Sequence, residues 1–132
     1  MRHADFQRRW RIARVISHAD GSEAQFAGTA SIGADWVYEE IGTLSMGGQS
    51  FEATRTYLWH PVEGGFDIRF DDGRAFHRLR FDDMVADHWC DPDTYRVSYD
   101  LRAFPDWSAT WRVTGPRKDY SMITRYAPFV GM

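Results

Sequence analysis

Apolar and polar residues alternate along most of this chain with a period of two. From Thr94 to Phe104, Tyr95, Val97, Tyr99 and Leu101 fall on one side and Arg96, Ser98, Asp100 and Arg102 on the other. That is the pattern of an antiparallel strand with one buried face. Trp107, Ala109, Trp111 and Val113 repeat it against Ser108, Thr110, Arg112 and Thr114. Phe51, Ala53, Arg55, Tyr57 and Trp59 form a further file, and Phe66, Ile68 and Phe70 a shorter one. Turn-forming groups separate the runs: Asp20-Gly21, Gly33-Ala34-Asp35, Gly47-Gly48, Pro61 to Gly65, Asp72-Gly73, Asp91-Pro92-Asp93, Phe104-Pro105-Asp106 and Gly115-Pro116. The pattern predicts about ten strands, near residues 6–16, 23–32, 36–45, 50–60, 66–71, 75–81, 86–90, 94–104, 107–114 and 119–126. The only helical expectation is a single turn near Ala4 to Arg8 or Asp82 to Ala86.

Consecutive strands joined by tight turns predict an all-β fold, an antiparallel up-and-down barrel, because closure removes the exposed edges of a meander. A two-sheet sandwich satisfies the same alternation. Without an internal repeat, low-complexity segment or linker, residues 1–132 read as a single domain. A barrel of this size either fills with side chains or holds one small ligand.

Composition narrows the classes of partner. A formal net charge of -3 argues against a nucleic-acid-binding surface, which needs a basic excess. No apolar run is long enough to cross a bilayer, so no membrane partner is expected. The first residues lack a signal-peptide core, and the single cysteine, Cys90, cannot form an internal disulfide. Together these make a cytoplasmic location the expectation.

Several polar residues ride on faces that the alternation turns inward. Arg14 is in register with Trp10, Ile12 and Ile16; Glu40 with Trp36, Tyr38 and Leu44; Arg55 with Ala53, Tyr57 and Trp59; His77 with Leu79 and Phe81. A buried charge is costly unless paired and hydrogen-bonded. Either Glu40 and the arginines form a structural ion-pair network, or a polar cavity solvates them. In the second case Arg55 and Tyr57, two apart on one strand, present a cation and a phenol to a carboxylate or phosphate.

His77, His88 and Cys90 are residue types that bind zinc or iron, but no Cys-x-x-Cys or His-x-x-x-His pair accompanies them. No metal and no cofactor is therefore assigned. A lone cysteine among aromatics reads as a small buried hydrophobe. Gly115-Pro116-Arg117-Lys118-Asp119-Tyr120 lacks the spacing of a phosphate loop and reads as a strand-to-strand turn, with Lys118 and Asp119 pairing on the surface.

Taken together, Tyr38-x-Glu40-x-Gly42, Arg55-x-Tyr57-x-Trp59, Asp72-Gly73-Arg74-x-Phe76-His77, His88-x-Cys90-x-Pro92-Asp93-x-Tyr95 and Trp111-x-Val113-x-Gly115-Pro116-x-Lys118-Asp119-Tyr120 resemble an uncharacterised family of small calycin-like, or lipocalin-like, domains of unknown function. The resemblance spans nearly the whole chain and departs at Arg8, where the family pattern places glycine. It implies a calycin-like barrel in which Trp10 packs against Arg125 of the last strand, and it implies no activity.

The resulting expectation is a barrel binding one small, partly apolar, anionic molecule. Arg55, Tyr57, His77, His88, Tyr95 and Tyr99 form its polar lining, and Trp59 and Trp111 its aromatic walls. A lipocalin-like enzyme using the same pocket for acid-base or lyase chemistry is the alternative, and a protein-interaction module the third. Self-association into a homo-oligomer through an open edge strand is compatible with all three.

Overall fold

The computed structural model describes residues 1–83, 85–90 and 92–130, together with the backbone but not the side chain of Cys90. The Cys90 thiol of the metal question and Asp91 of the predicted turn thus lie outside the described residues. A 3-10 turn, His3–Phe6, leads into ten strands: β1 (Arg9–His18), β2 (Glu23–Ile32), β3 (Val37–Met46), β4 (Gln49–Val62), β5 (Gly65–Phe70), β6 (Ala75–Arg80), β7 (Val85–Cys90), β8 (Asp93–Asp100), β9 (Trp107–Thr114) and β10 (Asp119–Pro128). All pairings are antiparallel, in the order β6-β5-β4-β3-β2-β1-β10-β9-β8-β7. The sheet curls until β6 and β7 lie side by side. No ladder joins these two among the described residues, so the barrel is nearly closed.

All ten predicted strands are present. Two ends differ by more than two residues: Phe6 belongs to the 3-10 turn rather than to β1, and β8 stops at Asp100 because the chain turns over residues 102–105 before β9. Of the two expected single turns, the one near Ala4 forms as the 3-10 turn, while Val85 begins a strand.

The turn between strands β2 and β3, the β4–β5 hairpin and the β8–β9 connection gather at one end of the barrel, which is filled by aromatic rings. Phe6 sits there fully buried, with the rings of Trp59, Phe66, Phe104 and Trp107 at 5.0 to 5.9 Å. Rings at such separations and inclinations add edge-on attraction to their area burial. His3 fastens the turn in place, its Nε2 lying 2.8 Å from the carbonyl oxygens of both Val62 and Gly65. Trp10 is also fully buried and donates Nε1–H to the Phe6 carbonyl at 3.2 Å. Its cationic neighbour is Arg8, whose guanidinium lies 5.2 Å from the ring. The expected Trp10–Arg125 contact does not form. Arg125 follows inward Thr124 and precedes inward Tyr126 on β10, so strand alternation turns it to solvent.

Room inside the barrel depends on the backbone approach of β2 and β3. Gly28 and Gly42 are paired across them. A Cβ on Gly42 would come within 2.3 Å of the Ala27 carbonyl oxygen and 2.7 Å of the Phe26 ring. Gly42→Ala is expected to lower stability by about 1–3 kcal/mol through overpacking. It should be read as a lower urea midpoint at unchanged slope; an unchanged midpoint would mean that the β2–β3 spacing is slack.

Candidate ligand-binding site

At the barrel's other end the inward files of β1, β3, β4 and β8 become less buried. Along β3 the inward file runs from buried Tyr38 and Glu40 through half-buried Leu44 to exposed Met46, and along β4 from exposed Phe51 through Ala53 and Tyr57 to buried Trp59. Between this open end and the aromatic end lies a small cavity of about 30 Å³. That is room for about two waters or one small polar group, since a single water needs roughly 10–15 Å³ on this measure. Polar groups meet around it.

The largest group of these is a closed network. Arg14, on the inward file of β1, donates two hydrogen bonds to the Glu40 carboxylate at 2.7 and 2.9 Å and a third, from Nε, to Thr124 Oγ1 at 2.6 Å. Tyr38 donates its hydroxyl proton to Glu40 at 2.6 Å. Its hydroxyl oxygen, 2.8 Å from that of Tyr126, is then free to accept the Tyr126 proton. Burial opposes the Arg14 charge, but the hydrogen bonds and charge of Glu40 outweigh it and hold the guanidinium above its ordinary pKa. Burial likewise pushes the Tyr38 and Tyr126 phenols up, with the Glu40 charge acting in the same direction. Arg14 and Glu40 thus neutralise each other, and both carboxylate oxygens are occupied. Of the two arginines that the alternation turned inward, only Arg14 joins this structural pair.

Arg55 is placed differently. It shares the inward file of β4 and lines the same cavity, yet it is exposed, because it stands at the open end rather than in the middle of the barrel. Its one side-chain hydrogen bond goes to the Tyr57 hydroxyl at 3.3 Å, and among the described residues it has no carboxylate partner. Burial raises the Tyr57 pKa, with the Arg55 charge working against the shift. Tyr57 is therefore a neutral phenol beside a free cation.

A bulge brings in the next group. The β5–β6 register shifts between Ile68 and Arg69, so that His77 pairs with Ile68 while Ala75 pairs with Arg69. Phe76 is the extra residue, and both it and His77 are buried although they are adjacent. His77 Nε2 lies 2.6 Å from the Tyr99 hydroxyl, and His77 Nδ1 is buried without a partner among the described residues. Burial, with a smaller effect from His88, pushes the His77 pKa down to about 3, so the ring is neutral at ordinary pH. Burial drives the Tyr99 phenol well above its usual pKa.

The remaining expected site residues form the rim or wall. Trp59 is buried and Trp111 half-buried, and both line the cavity. His88 and Tyr95 are half-buried beside Phe76, with ring centroids 5.6 and 5.4 Å from it, but do not line the cavity. Burial lowers the His88 pKa. Lys118 pairs with Asp93 at 2.9 Å and lies 5.9 Å from the Tyr95 ring, while Asp119 pairs with Arg112. The expected Lys118–Asp119 pair is thus replaced by two bridges to other strands, of which Arg112–Asp119 is of the exposed kind worth roughly 0–1 kcal/mol. Among the described residues no His, Cys, Asp and Glu cluster suits a metal ion.

Tyr38, Ile68, Phe76, Ala109 and Tyr126 also line the cavity and are not among the expected site residues. For Tyr38 a signal existed, since it shares a strand face with Glu40. For Phe76 there was none, because the bulge that turns it inward leaves the alternation of β6 looking regular.

A family model described as a family of unknown function, DUF6314, matches residues 6–128. No curated protein matches the chain. Among solved structures, the S-type phycobiliprotein lyase CPES from Guillardia theta is similar in fold, with a TM-score of 0.62 at 8% sequence identity over 98% of this chain and 91% of that one. No helix among the described residues is long and apolar enough to cross a membrane.

Proposed function

The chain belongs to this family of unknown function, and we propose that its barrel binds one small, partly apolar, anionic molecule at the open end, with the charged group against Arg55. One observation carries the reading: Arg55 lines the interior cavity without a carboxylate partner, while Arg14, deeper in the same wall, is fully neutralised by Glu40. A cation facing a partly desolvated site attracts an anion more strongly than one in open water. Tyr57 stands beside it as a neutral hydrogen-bond donor. The cavity is the size of a head group rather than of a whole ligand, so the apolar remainder lies along Leu44, Met46, Phe51 and Ala53, the inward residues whose exposure rises toward the mouth. Leaving Met46 and Phe51 half-exposed is otherwise an unrewarded use of apolar area.

The probe for this reading is 1-anilinonaphthalene-8-sulfonate, an anionic aromatic whose fluorescence rises on leaving water. One molecule is expected to bind per barrel, and Arg55→Gln to weaken it about 10- to 100-fold, the loss of one charge-assisted hydrogen bond of about 1.5–3 kcal/mol. Absence of binding, or binding indifferent to Arg55→Gln at an unchanged melting temperature, would overturn the proposal.

A further inference from the structure

The His77–Tyr99 pair bears on what the bound anion must be. Two arrangements of protons fit the 2.6 Å contact between His77 Nε2 and the Tyr99 hydroxyl. If Nε2–H donates to tyrosine, neither the tyrosine proton nor the Nδ1 lone pair has another partner among the described residues, so two groups go unsatisfied. If the Tyr99 hydroxyl donates to Nε2, the proton of the neutral ring sits on Nδ1, and only that N–H lacks a partner. The second arrangement strands one polar group instead of two, and a buried polar group without a partner is costly. The unpartnered, buried Nδ1–H of His77 therefore calls for a hydrogen-bond acceptor.

His77 is 8% exposed and lines the same cavity as Arg55. The charges around that cavity balance except at Arg55: Arg14 is neutralised by Glu40, and His77, Tyr57 and Tyr99 are neutral. One uncompensated positive charge matches a monoanion. Two donor residues on the lining of one cavity, itself the size of a few heavy atoms, match a flat group with two acceptor oxygens.

We propose that the bound molecule is a carboxylate, with one oxygen accepting from Arg55 and the other from His77 Nδ1–H, and that Tyr99 acts as a positioning residue by fixing the histidine tautomer. This rests on the role given to Arg55 above. It excludes amines and other donor-only head groups, which would meet two further donors.

Two measurements on the intact protein test it. Long-range nitrogen–proton correlation of the imidazoles is expected to show His77 in the Nδ1–H form before any ligand is added. Tyr99→Phe, which removes the donor to Nε2, is expected to convert part of the population to the other tautomer. Calorimetric titration with decanoate, below its micelle concentration, is expected to show one site that moves the Nδ1 resonance and weakens tenfold or more in His77→Phe. Decylammonium is expected not to bind. If His77→Phe folds poorly, Tyr99→Phe serves in its place, with a smaller loss of decanoate affinity and the tautomer as readout. An Nε2–H tautomer in the free protein overturns the inference. So does decanoate binding that depends on Arg55 but is indifferent to His77, or failure of decanoate where the anionic naphthalene binds through Arg55; both leave the anion site standing. If neither anion binds, the site itself is wrong.

Discussion

Glu40→Gln is expected to destabilise the protein by about 3–5 kcal/mol, the cost of leaving a buried charge without its partner. Arg14 is 7% exposed and directs two hydrogen bonds at the carboxylate. An amide in its place keeps one acceptor oxygen, turns an NH2 donor toward the other guanidinium nitrogen, and carries no charge to balance the guanidinium. Tyr38, which also donates to Glu40, would lose its acceptor or compete for it. The loss is measured as a fall in the urea midpoint. The double variant Arg14→Met with Glu40→Leu is expected to recover most of it, because well-packed apolar residues commonly replace a buried pair without loss. The difference between the double variant and the sum of Arg14→Met and Glu40→Leu made singly gives the coupling of the two charges. A cost below about 1 kcal/mol for the single variant would mean that water reaches Arg14.

Acid is expected to act on this protein earlier than its carboxylates alone would allow. In the unfolded chain His77 takes up a proton near its ordinary pKa of 6.5, whereas in the barrel it stays neutral down to about 3. Between those values the unfolded state binds more protons, so stability rises with pH and is lost as pH falls below 6.5. The limiting slope for one such group is about 1.4 kcal/mol per pH unit, or about 2 kcal/mol lost between pH 7 and pH 5. His77→Gln should flatten most of that limb, leaving the smaller contribution of His88, whose pKa is also lowered. Asp20, Asp72, Asp87 and Asp100, whose pKa values are lowered by local hydrogen bonds, act only at more acid pH. Denaturant unfolding at pH 7, 6 and 5 for both proteins separates the contributions; parallel curves would show that the imidazole is solvated in the barrel.

Much of the barrel was legible in the chain, because a strand with one buried face writes its alternation into the sequence. Tyr95, Val97 and Tyr99 fall inward as that alternation requires, and so do Arg14 and Glu40. What alternation cannot carry is depth. Arg14 and Arg55 occupy equivalent positions on their inward files, yet one lies in the middle of the barrel and the other at its mouth. The distinction is set by the stagger of neighbouring strands, a property of the closed sheet. Partner choice is hidden for the same reason: Arg14 faces Phe26 across the β1–β2 ladder and reaches Glu40 only diagonally, from two strands away. The β6 bulge shows a further limit. It adds Phe76 to the inward set without any glycine or proline to announce it.

The sheet has its free edges at β6 and β7, in the middle of the chain, while the first and last strands pair in the interior of the strand order. Trp10 opposes Pro128, and the Phe129 amide donates to the Arg9 carbonyl, so the two ends of this ladder are already adjacent. Joining the segment after β10 to the residues ahead of the His3–Phe6 turn, and opening the chain between β6 and β7, would close the ladder of greatest sequence separation by a short connection without cutting any other ladder among the described residues. Folding speed falls as contacts become more distant in sequence. A circularly permuted version of this barrel should therefore reach the same structure faster than the natural order of strands allows.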